Sequence, residues 1–205
     1  MEINAVELLK ESWQDLRGRW KPFYTVASIY GITVIAVQIL AEILYAVHLG
    51  LIGWTISTIF TILLGGGFTY AVLKFVRGEK PEIIDVFALF EDMGLGANYV
   101  LMSVLKNIIT AIGFFLLLVP GIYLSVGYMF SSFLMLDKGL SPWEALETSR
   151  KTVHKNWFQY FLFVLVLIIV NIIGAIPLGL GLIVTLPISY IALTKLYYRV
   201  FDSAF

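Results

Sequence analysis

Lys106 is the one lysine or arginine set deep inside an apolar block, away from its ends, and Asn107 and Thr110 follow it closely. A charge in hydrocarbon costs about 3 kcal/mol or more unless it is paired or wet, so polar residues at such depth are where binding or chemistry is to be sought. Counted from Ala97, Lys106 lies roughly 14 Å along its helix, short of the midpoint of a core about 30 Å thick. Three readings fit it: the side chain snorkels to the inner surface, pairs with a carboxylate or carbonyl, or holds a ligand or ion. Glu42 follows Gln38 by one turn near the outer end of its block, as an interfacial carboxylate or as a gating or proton-linked group. Asn171 stands at similar height in a later block and can hydrogen-bond across helices. Glu42 and Lys106 are expected at different depths, so no direct pair is expected. Arg150 occupies an apolar-face position of the helix that starts at Ser141. It can snorkel, contact lipid phosphate, or pair with an acid such as Asp137 or Asp85.

Other chemistry is thinly represented. His48 and His154 fall on opposite sides of the expected membrane and cannot share a metal. There is no cysteine, hence no disulfide and no thiolate site. HExxH, Walker-type and Gly-x-Ser-x-Gly patterns are absent, and no nucleophile–base pair can be read. Gly65-Gly66-Gly67 lies within an apolar block with no Lys-Ser/Thr after it, so close helix packing or a bend explains it better than phosphate binding. No cofactor and no metal are expected.

The elements that position these residues follow from composition. Of 205 residues, 60% are hydrophobic and 14% charged, against roughly 25% charged in soluble domains. Mean hydropathy is +0.90. One soluble core of this size cannot hide so much apolar surface, so lipid must solvate much of it. Zero net charge gives no sign of nucleic-acid binding. The start is acidic and amphipathic, unlike a signal peptide, so the first span is expected to act as an uncleaved insertion signal. Apolar blocks run over 23–47, 49–76, 97–119, 121–136, 157–176 and 178–200. The breaks at His48-Leu49-Gly50, Val119-Pro120-Gly121 and Ile176-Pro177-Leu178-Gly179 predict tight turns. All lysines and arginines except Lys106 fall in the N-terminal segment, the 74–80 and 138–155 intervals or the C-terminal end. The positive-inside rule then places both termini and both polar intervals in the cytoplasm. Trp20, Tyr24, Tyr99, Trp157, Tyr160, Tyr197 and Tyr198 are expected to form an aromatic belt at the inner boundary.

The chain also resembles itself. The stretch from Ser141, SPWEALETSRKTVHKNWFQY, opens with a Ser-x-x-Glu capping box and Pro142 at the first helical position. At a shift of 137 residues, Asn4, Glu7, Ser12 and Trp20 fall on Ser141, Glu144, Ser149 and Trp157. Val6, Leu9, Leu16 and Trp20 match Trp143, Leu146, Val153 and Trp157 on one helical face. A weaker copy, Pro81–Met93, sets Ile83, Val86, Phe87 and Phe90 opposite Glu82, Asp85 and Asp92. The expected fold is an all-α, polytopic integral membrane bundle of six transmembrane helices in three hairpins. Each hairpin follows an amphipathic helix on the cytoplasmic face, in one domain over 1–205 with pseudo-repeats 4–77, 80–138 and 141–203.

The runs Val119-Pro120-Gly121-Ile122-Tyr123, Leu136-Asp137-Lys138-Gly139-Leu140-Ser141-Pro142 and Glu144-Ala145-Leu146, with Ser149-Arg150 and Trp157, carry a family resemblance. Over roughly residues 80–200 the chain resembles an uncharacterised superfamily of small six-span prokaryotic membrane proteins. That superfamily is similar to the membrane domain fused to some bacterial glycerophosphodiester phosphodiesterases. The resemblance implies a membrane module without a catalytic domain and transfers no catalytic residue. The expected function is a non-enzymatic module of the cell membrane that binds membrane lipids or a partner protein, a second copy included. The alternative is a small transporter or channel using Lys106, Asn107, Glu42 and Asn171.

Overall fold

The structure is a computed structural model that describes residues 3–46 and 48–202. Val47, which ends the first apolar block, and Ser203, which ends the third repeat unit, lie outside the described residues. Met1, Glu2, Ala204 and Phe205 do so as well. Every regular element among the described residues is helical: α1 (Ala5–Gly18), α2 (Trp20–Ala46), α3 (Gly50–Val76), a 3-10 turn (Ile83–Phe87) leading into α4 (Ala88–Glu91), α5 (Met93–Leu116), α6 (Leu118–Gly127), α7 (Ser131–Lys138), α8 (Pro142–His154), α9 (Trp157–Ala175) and α10 (Leu182–Phe201). Five segments are long and apolar enough to cross a membrane: α2, α3, α5, Leu118–Lys138 and α9. The 20-residue α10 carries Lys195 and Arg199 in its second half and is not among them. Ile32, Ile35, Ile39 and Ile43 of α2 and Ile168, Ile169, Ile172 and Ile173 of α9 stand exposed. Apolar surface on this scale needs lipid as its solvent, and the chain is a membrane-embedded, multi-pass helical protein.

Helices end where the chain chemistry requires. His48 at φ 63° turns α2 into α3, and Leu178 and Gly179 at φ 53° and 79° turn α9 towards α10. The expected turn at Pro120 is displaced. The extended residue is Leu117, and Pro120 sits in the first turn of α6, where the missing N–H has no helical acceptor to lose. Leu118–Lys138 is itself broken at 128–130. Ser149 of α8 seals the break, accepting from Phe130 N–H at 3.1 Å and donating to the Gly127 carbonyl at 2.7 Å.

That contact also sets the place of α8. Gly139, left-handed at φ 65°, caps α7. From it α8 runs back antiparallel to α6 and α7, bringing Ser149 to Gly127 and His154 to Tyr123. Its buried face is Ala145, Leu146, Ser149 and Val153, while Trp143 is exposed. In α1 the buried residues are Leu8, Ser12 and Leu16 and Val6 is exposed, as is Trp20 at the start of α2. Leu8, Ser12 and Leu16 stand 137 residues before Ala145, Ser149 and Val153. Both helices therefore bury a serine-centred i, i+4, i+8 face next to the apolar face expected from sequence. In the weaker copy the helix is a 3-10 turn and one turn of α4, and Asp85, assigned to its polar side, is buried and paired with Lys74 at 2.8 Å.

Charges knit the helix ends. The fully buried Asp137 carboxylate meets Arg77, accepts from the Tyr197 hydroxyl at 2.5 Å and lies 3.5 Å from Lys138. Lys195 and Arg199 hold Asp15 and Glu11 of α1, each at 2.6 Å. Tyr99, Tyr160, Tyr197 and Tyr198, expected in an interfacial belt, are core residues. Phe133 stacks on Tyr197 with centroids 5.4 Å apart, and Phe130 meets Tyr160 edge-on at 5.8 Å.

Candidate functional site

Helical spacing brings small and hydroxylated residues to one place. Thr61, Gly65 and Thr69 follow at four-residue steps on α3, and Tyr99, Ser103 and Asn107 do the same on α5. Together with Lys106, Ser132 of α7 and Tyr190 of α10 they line a cavity of about 320 Å³. The Thr69 hydroxyl donates to the Gly65 carbonyl at 2.8 Å and lies 2.7 Å from the Tyr190 hydroxyl. Tyr99 is buried beside Ser132 and Thr69. Lys106 has neither hydrogen bond nor ion pair among the described residues. Its ammonium therefore neither pairs with a carboxylate nor caps a carbonyl. It borders a hollow in which hydroxyls and the Asn107 amide are the polar groups, and no carboxylate lines the wall.

Chemically this is a donor-rich, singly positive site. One ammonium and several rotatable O–H groups can replace the hydration of an anion, at an effective dielectric well below that of water. No hydrogen bond joins Ser103 to Lys106 among the described residues. Among the described residues no group of three or more His, Asp or Glu side chains gathers as a metal site would.

The other candidates separate. Glu42 is exposed on α2 and does not line the cavity. One turn before it, Gln38 donates to Thr61 at 3.4 Å, which ties α2 to the cavity wall. Asn171 joins α9 to α10, its Nδ2 donating to the Leu167 carbonyl at 2.9 Å and to Ser189 Oγ at 3.0 Å. Its Oδ1 is buried without a partner among the described residues. Arg150 pairs with neither Asp137 nor Asp85, because Arg77, Tyr197 and Lys138 surround the first and Lys74 holds the second. It makes a two-pronged bond to Glu147 on its own helix, at 2.9 and 2.8 Å. The guanidinium beside Glu147 holds that carboxyl down at about 2, and Arg150 is in turn pushed above its ordinary range. Glu144 is lowered by the Ser141 hydroxyl and then by the Ser141 backbone of the capping box.

Two groupings are not legible in the sequence. Thr69, Tyr99, Ser103, Ser132 and Tyr190 complete the Lys106 cavity. Their one visible signal is the four-residue spacing of polar residues within apolar blocks. Tyr123, whose hydroxyl is 2.7 Å from His154 Nδ1, also accepts from Trp157 Nε1 at its carbonyl, at 3.3 Å. In the sequence, no spacing links Tyr123 to Trp157. Comparison with protein-family models, with curated proteins and with solved structures finds no match to this chain.

Proposed function

We propose that the chain is a non-enzymatic integral membrane module that binds an anionic group inside the membrane, at Lys106. The observation that carries this reading is an ammonium without a partner among the described residues, facing a hydroxyl-lined cavity of about 320 Å³. An intramembrane lysine that neither pairs nor caps is expensive, and such positions are kept where a ligand or water offsets the cost. In this reading the module has six spans in three hairpins, with α10 as the sixth, and sits in the cell membrane. Both termini and the 74–80 and 138–155 intervals are cytoplasmic, which the distribution of lysine and arginine supports. The likeness to the membrane domain of glycerophosphodiester phosphodiesterases belongs to the same proposal. The matching buried faces of α1 and α8 support descent of the first and third units from one ancestor.

A second reading has one observation in its favour. The Gln38–Thr61 bond links the cavity wall to the turn of α2 that leads to Glu42, a polar line that a small transporter would use. Because the chain has no cysteine, single cysteines at Ser103 and Ser57 report on both readings. In the binding module, membrane-impermeant thiol reagents leave both unlabelled from either side, and Lys106→Gln abolishes anion retention. Labelling of Ser103→Cys from both sides would favour transport. Anion retention undiminished in Lys106→Gln would end the Lys106 reading.

A further inference from the structure

The three glycines at 65–67 differ in what they face. A Cβ on Gly67 would fall 2.0 Å from the Val86 carbonyl oxygen, and one on Gly66 would meet Leu89 at 2.4 Å. A Cβ on Gly65 would meet nothing within 4 Å. Gly65 borders two hollows. One is the Lys106 cavity, and the other is a groove of about 370 Å³ lined by Phe23, Ala27, Tyr30, Phe68, Leu186 and Pro187. Tyr190 is the second shared wall. Its hydroxyl reaches Thr69 in the cavity, while its ring lies tilted against Phe68, 5.6 Å away.

The proline in α10 leaves no free carbonyl toward the groove. Pro187 has no N–H for the Ile183 carbonyl four residues before it, and that carbonyl accepts instead from the Tyr24 hydroxyl at 2.9 Å. The two hollows thus lie on either side of Gly65 and Tyr190, one singly charged and donor-lined, the other mostly apolar with the Tyr30 ring in its wall. We propose that the ligand is a single-chain amphiphile with one negative charge. Its head sits on Lys106, and its acyl chain passes the gap at Gly65 into the groove of Phe23, Phe68 and Leu186. One ammonium matches one negative charge, and a gap the width of one missing side chain admits one chain. This rests on the anion reading of Lys106.

The test uses the full chain in neutral detergent, with native mass spectrometry reading retention of dodecanoate and of butanoate, whose chain is too short to fill the groove. The variants are Lys106→Gln, Gly65→Leu and the milder Gly65→Ala. Dodecanoate is expected to bind about tenfold or more tighter than butanoate, a difference of about 1.4 kcal/mol. Lys106→Gln should lose both ligands. Gly65→Leu fills open space, so the fold tolerates it and only the preference for dodecanoate is lost, with Gly65→Ala intermediate. Equal retention of the two carboxylates, both dependent on Lys106 and unaffected by Gly65→Leu, would overturn the acyl-chain inference and leave the anion reading standing. Absence of any Lys106-dependent retention would overturn both.

Discussion

Ser149 shows how much a single hydroxyl can hold in a membrane-embedded chain. The break at 128–130 frees a backbone donor at Phe130 and an acceptor at Gly127, away from water. One rotatable O–H serves both, and it comes from a helix that passes the break only because Gly139 turns the chain back. Removing it leaves two buried groups without partners, each of which water would otherwise have satisfied. Ser149→Ala is therefore expected to destabilise the protein by about 2 kcal/mol, read as a lowered midpoint of thermal or denaturant unfolding in detergent. Ser12, its counterpart in α1, bonds only to Leu8 of its own helix at 2.6 Å. Ser12→Ala should be far milder, and an equal loss for the two would contradict this account. Arg150 makes a complementary point. Its position among apolar residues invited a distant acid, yet the nearest carboxylate one turn away satisfies it with two bonds.

At the scale of elements, α3 is the organising helix. Its N-terminal half faces α2 and lipid. Its C-terminal half packs against the 3-10 turn, α5, α7 and α10, and Leu73, Phe75 and Val72 are buried there. Two nearly opposite faces of its glycine run serve different ends. Gly67 lets the backbone of residues 85–86 approach, and Gly65 leaves a gap. Alanine has the same helix propensity at both positions and favours either by about 0.5–1 kcal/mol over glycine. Gly65→Ala is thus expected to leave stability unchanged or slightly raised. Gly67→Ala should cost about 1–3 kcal/mol, because the Val86 carbonyl cannot yield without moving the turn. Melting temperatures of the two variants compared side by side decide the matter, and similar values would remove the distinction drawn between the glycines.

At the scale of the molecule, the open choice lies in α10. Five spans would put the termini on opposite sides of the membrane, and six put them on the same side. The last turns of α10 are clasped to α1 through Lys195–Asp15 and Arg199–Glu11, which favours one side for both. A fluorescent-protein fusion at the C-terminus is expected to fluoresce in cells, as is one at the N-terminus, and cysteine at His48 should be labelled from outside. A dark C-terminal fusion that becomes active as an alkaline phosphatase fusion would instead mean five spans.

Length and mean hydropathy were enough to read a multi-pass helical protein, because lipid admits few structures that satisfy every backbone group, and helices are the simplest. Gly50 marked the turn at His48, and Pro177 and Gly179 the one after α9, since those conformations are local. The sequence also pointed to Lys106, because an isolated charge in an apolar run stands out without any fold. It could not reveal that Thr69, Tyr99, Ser132 and Tyr190 surround that lysine, or that Gly65 opens while Gly67 closes. These depend on how four helices cross, and crossing is decided by side-chain packing between residues distant in sequence. The same hydroxyl on an apolar helix faces lipid, core or cavity according to that packing alone.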